Sequence, residues 1–325
     1  MIRSEFGRHL LRWYGKNGRD LPWRQTRDPY AVLDSEFMLQ QTQVVTVLPY
    51  YKDWLRRFPT FAELAHATET DVLHAWQGLG YYARARNLRT TARLIMSQYR
   101  GHFPRAIAKM RELPGIGKYT AHAIATFAFD QAVPIVEANV SRVLSRVFDL
   151  RRPIDSTNGR NTLWNYATSL VPKRSAVRYN SALLDLGALI CLPRNPKCGI
   201  CPVKNLCCAK DPELLPIKRC QPATKRLIER HALVIRQRKI LLQSAEHRWR
   251  GMWILPQLNG GSRMNGAIHE SVFPFTNHRI TLQVFPARAR KIDNHRARWF
   301  SRRQLQSIPI PSPHRRAIEQ LLANA

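Results

Sequence analysis

The sequence predicts a mostly α-helical domain followed by a smaller α/β domain, and three features of the chain support this fold class. Apolar residues recur at helical spacing with few breaks from residue 6 to about residue 210. The six cysteines all lie between residues 191 and 220, at the end of this helical part. After residue 226, apolar and polar residues alternate as in β-strands, and one helical stretch closes the chain.

The helical part begins with residues 6–20, whose apolar side chains repeat at helical spacing until LPWR and RDPY introduce prolines. Further helices are predicted in LQQTQVVTVLPYYKDWLRRF, DVLHAWQGLGYYARARNLRTTARLIMSQY and NTLWNYATSLV. The proline-bearing basic stretch DPELLPIKRCQPATKR has the composition of a linker. We therefore expect a helical domain over residues 1–210, a linker over 211–226 and a second domain over 227–325.

The charge balance indicates a polyanionic partner. The chain carries 52 Lys and Arg against 22 Asp and Glu, a formal net charge of +30, and nucleic acid is the first candidate. A solvated basic surface is the alternative. No segment approaches the roughly 20 apolar residues of a membrane span, and the polar N-terminus lacks the apolar region of a secretory signal. We expect a cytoplasmic protein with no membrane partner.

Four of the cysteines have the spacing of a metal-binding loop. Cys191, Cys198, Cys201 and Cys207 are separated by six, two and five residues. Four thiolates in a short loop suit a tetrahedral zinc ion or a cubane iron–sulfur cluster, and spacing alone does not choose between them. A redox-active CxxC motif is the alternative, although it leaves two of the four cysteines unexplained. Cys208 and Cys220 have no place in the pattern.

The motif LPGIG lies between two helical stretches, where its glycines permit a tight turn. Outward-facing N–H groups at Gly115 and Gly117 would bind a phosphate without reading sequence. Lys118 follows directly, and we expect it to add a phosphate contact. A plain corner between two helices is the alternative interpretation.

Two glutamates lie in settings that suggest chemistry. Glu137 precedes the apolar helical stripe of NVSRVLSRV, so its carboxylate lies at the start of a helix, where a capping role is the simpler alternative. Glu36 lies in the apolar and amide-rich segment LDSEFMLQQTQ. Desolvation there would raise its pKa and make it a proton donor, whereas a surface position would leave it inert.

The segment GLGYYARARNL places two tyrosines before two arginines. An aromatic ring followed by guanidinium groups suits insertion into a base stack together with phosphate contacts from Arg84 and Arg86. Packing of Tyr81 or Tyr82 in an ordinary core is the competing interpretation.

Taken together, these motifs resemble a known family. LPGIGKYTA followed by PIVEANV is similar to the helix-hairpin-helix loop and carboxylate of the DNA glycosylase superfamily, and the cysteine spacing is similar to its [4Fe–4S] loop. LPWR, SEFMLQQTQ and QGLGYYARARNL narrow the resemblance to the MutY family of adenine glycosylases. The resemblance covers residues 6–210, and the tail more loosely resembles that family's Nudix-like C-terminal domain.

The resemblance implies a catalytic domain over residues 1–210 that cleaves the N-glycosidic bond of adenine mispaired with 8-oxoguanine or guanine. In that interpretation Glu36 protonates the adenine, Glu137 stabilises the cationic sugar, and Asn139 supports Glu137. Tyr119 stands where bifunctional relatives carry a Schiff-base lysine, so we expect a monofunctional enzyme.

The resemblance also implies binding partners and a cofactor. The partner is double-stranded DNA with an A:8-oxoguanine or A:G mispair, bound by a monomer associated with the bacterial nucleoid. A [4Fe–4S] cluster is expected on the four cysteines over residues 191–207, and a monovalent cation at the hairpin is a further candidate. The residues expected at the adenine pocket wall, in the duplex near the lesion and at the base opposite adenine are Leu21, Trp23, Arg24, Gln41, Thr42, Tyr81, Asn277 and His278.

Two departures from the family pattern leave other functions open. The family's usual second carboxylate is Asp followed by Gly, whereas this chain has Glu137 and Ala138, and the family's Phe-Ser-His loop is replaced by FTNHRI, in which Asn277 replaces the serine. The clustered glutamates of Nudix hydrolases are absent from the sequence, so the second domain is expected to recognise rather than hydrolyse. The alternatives are a glycosylase for another base such as thymine, a bifunctional lyase, and a non-catalytic DNA-damage binding protein.

Overall fold

The computed structural model of the chain describes residues 2–220, 222–258, 266–288 and 296–323. The chain divides into two compact units. The first is formed by Met1–Gln40 and Gln98–Cys220, and the second by Gln41–Ser97 and Gln221–Ala325. The second unit therefore combines a helical segment from the N-terminal half with the strand-rich tail. The sequence-based boundaries at residues 210 and 227 remain a prediction.

The first unit is helical, as expected. Its helices are α1 (Ile2–Asn17), α2 (Pro29–Leu39), α7 (Ile107–Met110), α8 (Lys118–Phe127), α9 (Ala138–Val147), α10 (Thr157–Leu170) and α11 (Ala176–Leu189). The core lies among α1, α9, α10 and α11, where Phe6, Leu144 and Leu186 are completely buried. Helix α2 packs against α8, and the Tyr119 hydroxyl in the first turn of α8 contacts the Glu36 carboxyl on α2.

The second unit contains four helices from the N-terminal half and one at the end of the chain. They are α3 (Val44–Arg57), α4 (Phe61–His66), α5 (Glu69–Ala75), α6 (Ala83–Gln98) and α12 (Ser312–Ala323). The sequence predicted one continuous helical pattern through GLGYY. The structure instead ends α5 and begins α6 around a loop, because Gly78 and Gly80 adopt φ angles of 108° and 69°, which a helix does not contain.

Seven strands lie in the part of the second unit that the structure describes. They are β1 (Lys225–Leu233), β2 (Ile235–Arg236), β3 (Lys239–Ser244), β4 (Trp253–Ile254), β5 (His269–Phe275), β6 (His278–Pro286) and β7 (Ala297–Ser301). One sheet has the order β1-β6-β5, with β1 parallel and β5 antiparallel to β6. The other has the order β2-β3-β4, with β7 also paired to β3.

Strand β5 was missed by the sequence analysis because proline interrupts its alternation. Pro274 lies within β5, and proline is tolerated there because β5 is an edge strand of its sheet. The tight turn after β5 places Asn277 and His278 at the tip of the β5–β6 hairpin. The strand-rich character predicted for the tail is confirmed.

The beginning of the predicted linker packs against the first unit. Leu215 is 1% exposed, and the Ile217 carbonyl accepts a hydrogen bond from the Ile154 backbone N–H. Among the residues that the structure describes, no helix has the length and apolar composition that a membrane crossing requires.

Candidate active site

Glu36 lies on α2 among buried neighbours and is only 4% exposed. The Tyr119 hydroxyl donates a hydrogen bond to its carboxyl group, while Oε2 is buried with no hydrogen-bond partner among the described residues. Burial raises the pKa of Glu36 to about 7. The hydrogen bond from Tyr119 lowers this pKa, whereas the charge of Glu137 adds to the rise. The predicted desolvation of Glu36 is confirmed, and its carboxyl group retains a proton near neutral pH.

Tyr119 lies in the first turn of α8, directly after the glycine hairpin. Burial raises the pKa of its hydroxyl well above the usual value, and the nearby charges of Glu36 and Glu137 raise it further. The hydroxyl therefore remains protonated and acts as a hydrogen-bond donor. Since both glutamates perturb the same hydroxyl group, the structure brings together three of the four residues to which the family resemblance gives catalytic roles.

Glu137 is the N-cap of α9, and its backbone is extended with φ −115° and ψ −171°. Its Oε1 accepts a hydrogen bond of 2.8 Å from the Val140 backbone N–H. Burial raises the pKa of Glu137, whereas hydrogen bonds from the backbone N–H groups of Asn139 and Val140 and the charge of Arg142 oppose the rise. The capping role and the catalytic role are thus compatible, because the N–H groups at the helix start favour the ionised carboxylate.

The contact of Asn139 with Glu137 is a hydrogen bond from the Asn139 backbone N–H, whereas the resemblance implies support from the side-chain amide. The Asn139 side chain is engaged elsewhere, since Oδ1 accepts a hydrogen bond of 2.8 Å from Arg142 Nη2, which also donates to the Gly187 carbonyl. Gly187 allows α11 to approach α9 closely, because a Cβ atom there would lie 2.6 Å from the Asn139 Cβ. The sequence analysis did not identify Arg142 or Gly187.

Arg24 is held by an aspartate that the sequence analysis also missed. Asp185 on α11 is completely buried, and its two oxygens accept hydrogen bonds of 2.8 Å from Arg24 Nη1 and Nη2. Arg19 binds the same carboxylate through its Nε at 2.7 Å. Burial alone would raise the pKa of Asp185, but Arg24 and Arg19 hold this pKa below its usual value. A lone acid in the apolar segment LLDLGAL was the available signal.

The positive charge of Arg24 acts on Glu36. It opposes the rise in the pKa of the Glu36 carboxyl, which places the guanidinium group in the same site as Glu36. Leu21 and Trp23, on either side of Pro22, are 5% and 7% exposed. Arg24 is thus fixed by a bidentate ion pair before any ligand arrives.

The hairpin has the form expected of a phosphate-binding turn. Leu113 and Ile116 are each 4% exposed and anchor the loop, whereas the intervening Gly115 is exposed with φ 79°. Gly117 is the exposed N-cap of α8, so the free N–H groups of the helix start face solvent. Lys118 is also exposed, and its Nζ lies 3.9 Å from the centroid of the Trp164 ring.

In the second unit, Gln41 and Tyr81 are exposed and both have left-handed backbones, with φ 57° and 47°. Tyr81 is 44% exposed, whereas Tyr82 is 5% exposed and belongs to the core, so the two competing interpretations apply to different tyrosines. Thr42 accepts a hydrogen bond of 3.2 Å from Arg84 Nη2.

The expectation that Arg84 holds a phosphate is wrong, whereas the phosphate contact expected of Arg86 stays a prediction. Arg84 is 7% exposed, and its Nη2 donates to the Leu79 carbonyl at 2.9 Å. Burial lowers the pKa of Arg84 to about 10, and its Cζ lies 5.6 Å from the Tyr81 ring centroid. Arg86 Nη1 donates to the Arg250 carbonyl. Arg84 supports the loop from within, because the buried Leu79 carbonyl group requires a donor.

The tip of the β5–β6 hairpin carries the two residues expected to meet the base opposite adenine. Asn277 is exposed, His278 is partly exposed, and the Asn277 carbonyl accepts a hydrogen bond of 2.9 Å from the Lys225 backbone N–H. Arg248 supports the hairpin from its other side, with Cζ 4.6 Å from the Phe275 ring centroid and Nη1 2.6 Å from Glu229 Oε1.

The four spaced cysteines line one cavity of about 320 Å³ together with Arg146. Arg146 is 1% exposed and its Nη1 lies 3.3 Å from Cys191 Sγ, so a positive charge faces the sulfur atoms. Cys208 and Cys220 are exposed and do not line the cavity. Among the described residues, no group of three or more His, Cys, Asp or Glu side chains is arranged to hold a single metal ion.

Comparison with known proteins identifies the family. Residues 35–167 match the HhH-GPD superfamily base excision DNA repair protein model. The adenine DNA glycosylase of Buchnera aphidicola subsp. Baizongia pistaciae is 34% identical over 99% of this chain and 98% of its own length. The chain belongs to the adenine DNA glycosylase family.

Other members and a solved structure are similar over the helical part. The adenine DNA glycosylase of Rattus norvegicus is 44% identical over 63% of this chain, and the match spans 41% of the rat protein. A thermostable thymine-DNA glycosylase structure is 32% identical, with a TM-score of 0.60, and covers 64% of this chain and 95% of that one. The HhH-GPD fold of the glycosylase is thereby established, whereas the Nudix-like character of the tail remains a prediction.

The cysteine loop of this adenine DNA glycosylase carries a [4Fe–4S] cluster site. Residues 191–207 match the iron–sulfur binding domain of endonuclease III. The cysteine spacing alone allowed either a zinc ion or an iron–sulfur cluster, and this match identifies the cluster. The donor set fits the group, because four thiols surround one cavity and a buried cation faces them. Burial raises the pKa of Cys201 to about 11, and the three other cysteines add to the rise, so the free Cys201 thiol is neutral until iron binds.

Proposed function

We propose that this adenine DNA glycosylase hydrolyses the N-glycosidic bond of adenine mispaired with 8-oxoguanine or guanine and leaves the DNA strand uncut. The observation that carries the proposal is the pKa of Glu36, about 7, in a site that it shares with Tyr119 and Glu137. Two carboxyl groups in different electrostatic settings can perform different tasks at one pH.

Glu36 is the proton donor in this proposal. Adenine is a poor leaving group, and protonation of its ring nitrogen lets the bond to the sugar break without forming an adenine anion. A carboxyl group with a pKa near 7 is protonated in a large fraction of molecules at neutral pH and donates easily. Its unpartnered Oε2 is the atom with hydrogen-bonding capacity left for the base. Once adenine has departed, the deprotonated Glu36 carboxylate can position the attacking water.

Glu137 stabilises the positive charge that develops on the sugar. Burial raises the pKa of the Glu137 carboxyl, and the backbone N–H groups of Asn139 and Val140 oppose this rise and favour the ionised form, which is the form that an oxocarbenium-like sugar requires. Compared with the usual Asp, Glu137 has an extra methylene, and the bond from Val140 N–H folds the longer side chain back onto the helix start. The added length is therefore taken up at the cap of α9.

Tyr119 makes the enzyme monofunctional. A Schiff base requires an amine, and a phenol that stays protonated cannot form an imine with the opened sugar. Instead the Tyr119 hydroxyl orients Glu36 by hydrogen bonding. Strand cleavage is therefore not expected at this site.

The DNA contacts of the proposal are distributed over both units. The Gly115 and Gly117 N–H groups with Lys118 hold a phosphate, Gln41, Thr42 and Tyr81 enter the duplex, and a monovalent cation at the hairpin remains a prediction. The C-terminal domain, which we infer to be Nudix-like, presents Asn277 and His278 to the base opposite adenine. We infer a monomer that acts in the cytoplasm at the nucleoid.

A duplex cleavage assay tests the proposed function. We expect adenine release from A:8-oxoguanine and A:G duplexes, with breaks appearing only after alkali cleaves the abasic site. A T:G duplex should be inert, although one similar structure is a thymine-DNA glycosylase. Release of thymine would support a glycosylase for another base, and breaks without alkali would support a bifunctional lyase. Binding without any release would support a non-catalytic DNA-damage binding protein.

Cys191, Cys198, Cys201 and Cys207 are the ligands that we assign to the cluster, which holds the loop through iron–thiolate bonds. We expect Cys198→Ser to lose most of the bound iron and the visible iron–sulfur absorption, because three thiolates no longer close the site. Cys208→Ser is the matched control and should retain both, since Cys208 lies outside the cavity. Unchanged iron content in Cys198→Ser would contradict the assignment.

A further inference from the structure

The loop that carries Tyr81 is hydrogen-bonded to the C-terminal segment of the chain. We call residues 77–82 the aromatic loop and residues 305–315 the C-terminal brace. Gln77 Oε1 accepts hydrogen bonds of 3.2 Å from both the Ile310 backbone N–H and Arg315 Nη2. One amide oxygen thus joins the aromatic loop to two points of the C-terminal brace, which lies more than 200 positions later in the sequence.

Arg315 makes several hydrogen bonds at this contact. Its Nη2 also donates hydrogen bonds of 3.0 Å and 3.1 Å to the carbonyl oxygens of Leu305 and Ile308. The guanidinium group therefore links two carbonyl groups of the brace to Gln77. Its side chain is 19% exposed. Burial lowers the pKa of Arg315, although the nearby Glu319 and Tyr82 favour its charge. A guanidinium with several carbonyl acceptors fixes its neighbours more firmly than a single hydrogen bond.

Other contacts join the aromatic loop, or the helix α5 that precedes it, to the C-terminal brace. The Ser312 side chain lies near the buried Tyr82 hydroxyl and opposes the rise that burial causes in its pKa. His74, at the end of α5, has Nε2 2.8 Å from the Gln306 carbonyl oxygen. The aromatic loop therefore has C-terminal contacts on Gln77 and Tyr82, on both sides of its glycines.

The loop needs such support because its backbone is strained. Tyr81 has φ 47°, in the left-handed region that side chains other than glycine rarely occupy. Gly78 has φ 108°, and a Cβ atom there would lie 2.0 Å from the Tyr50 hydroxyl oxygen. Strained backbone of this kind persists only where its surroundings fix it, and in proteins it concentrates at functional sites. The exposed residue at the centre of the strain is Tyr81.

We propose that Arg315 and Gln77 are positioning residues that hold Tyr81 in the conformation that enters the DNA duplex. The C-terminal brace thus contributes to base extrusion as well as to the architecture of its own unit. The inference rests on the proposed function for the entry of Tyr81 into DNA. It assigns a task to two residues that the sequence analysis placed neither in the adenine pocket nor at the base opposite.

The test uses the full chain and a duplex with one A:8-oxoguanine pair and 2-aminopurine beside the adenine, whose fluorescence reports unstacking. We expect Arg315→Met to slow unstacking and single-turnover excision about tenfold, the size typical of coupled neighbours. Arg316→Met is the matched control, because it removes the same charge from an exposed position on the same helix. Gln77→Met removes the shared acceptor and serves if Arg315→Met does not fold.

A double-mutant cycle separates positioning from mere stability. In a Tyr81→Ala background, Arg315→Met should have no further effect on unstacking, because the residue that it positions is gone. Equal rates for Arg315→Met and Arg316→Met, or additive effects with Tyr81→Ala, would overturn the inference. Since unstacking is measured without excision, a chain that unstacks DNA but releases no adenine would refute the proposed function alone.

Discussion

Glu36→Gln is expected to abolish adenine excision almost completely, with single-turnover rates falling by about 100- to 10,000-fold. The substitution keeps the shape of the side chain and its contact with the Tyr119 hydroxyl, but an amide cannot donate the proton that adenine needs. DNA affinity should remain close to that of the native chain, because no phosphate contact is altered. Rapid-quench excision assays at saturating protein, with parallel equilibrium binding, make the comparison.

The same variant has a stability signature that confirms the cause. Because burial raises the folded-state pKa of Glu36 from its ordinary 4.5 to about 7, the native chain loses stability as pH rises from 4.5 through 7. Glu36→Gln lacks this loss, so its melting temperature relative to the native chain should increase across that range and then level off. Excision that survives the substitution would exclude Glu36 as the proton donor.

Glu137→Gln is expected to reduce excision by about 100- to 1000-fold, the typical effect of removing one electrostatic partner of a transition state. The amide oxygen of the substituted side chain can still accept the hydrogen bond from the Val140 N–H, so α9 keeps its cap. The lost property is the negative charge, which stabilises the cationic sugar. Single-turnover excision from an A:8-oxoguanine duplex measures the effect.

Glu137→Asp is the matched control for charge. Asp is a good N-cap and keeps the carboxylate but shortens the side chain by one methylene, so activity should remain within about tenfold of the native rate. If Glu137 only caps the helix, Glu137→Gln would excise adenine at the native rate, and that result would contradict the assigned role. Inactivity of the native chain together with activity of Glu137→Asp would favour the damage-binding alternative.

The sequence was sufficient to single out the two candidate carboxylates because each lies in an unusual local setting. Glu36 stands in an apolar run and Glu137 directly before an amphipathic helix, and both features are visible in a short window of residues. The glycine hairpin and the cysteine spacing are equally local. Such motifs predict the chemistry of a site without any knowledge of tertiary contacts.

The residues that fix the geometry could not be predicted in the same way, because their partners are distant in sequence. Asp185 holds Arg24 across 161 positions, and Arg142 reaches the Gly187 carbonyl across 45. Arg84 shows the opposite error, since its pattern indicates a phosphate contact while packing gives its guanidinium to buried carbonyl groups. Tertiary packing, which no local pattern encodes, decides which arginines face solvent.

The central claim is that Glu36 enters the reaction already protonated while Glu137 is ionised. The pH dependence of single-turnover excision from an A:8-oxoguanine duplex at saturating protein tests this claim most directly. We expect the rate to be highest below neutral pH and to fall as pH rises through about 7, following the pKa of Glu36. A rate that stays constant from about pH 6 to about pH 9, or that rises through neutrality, would contradict the account.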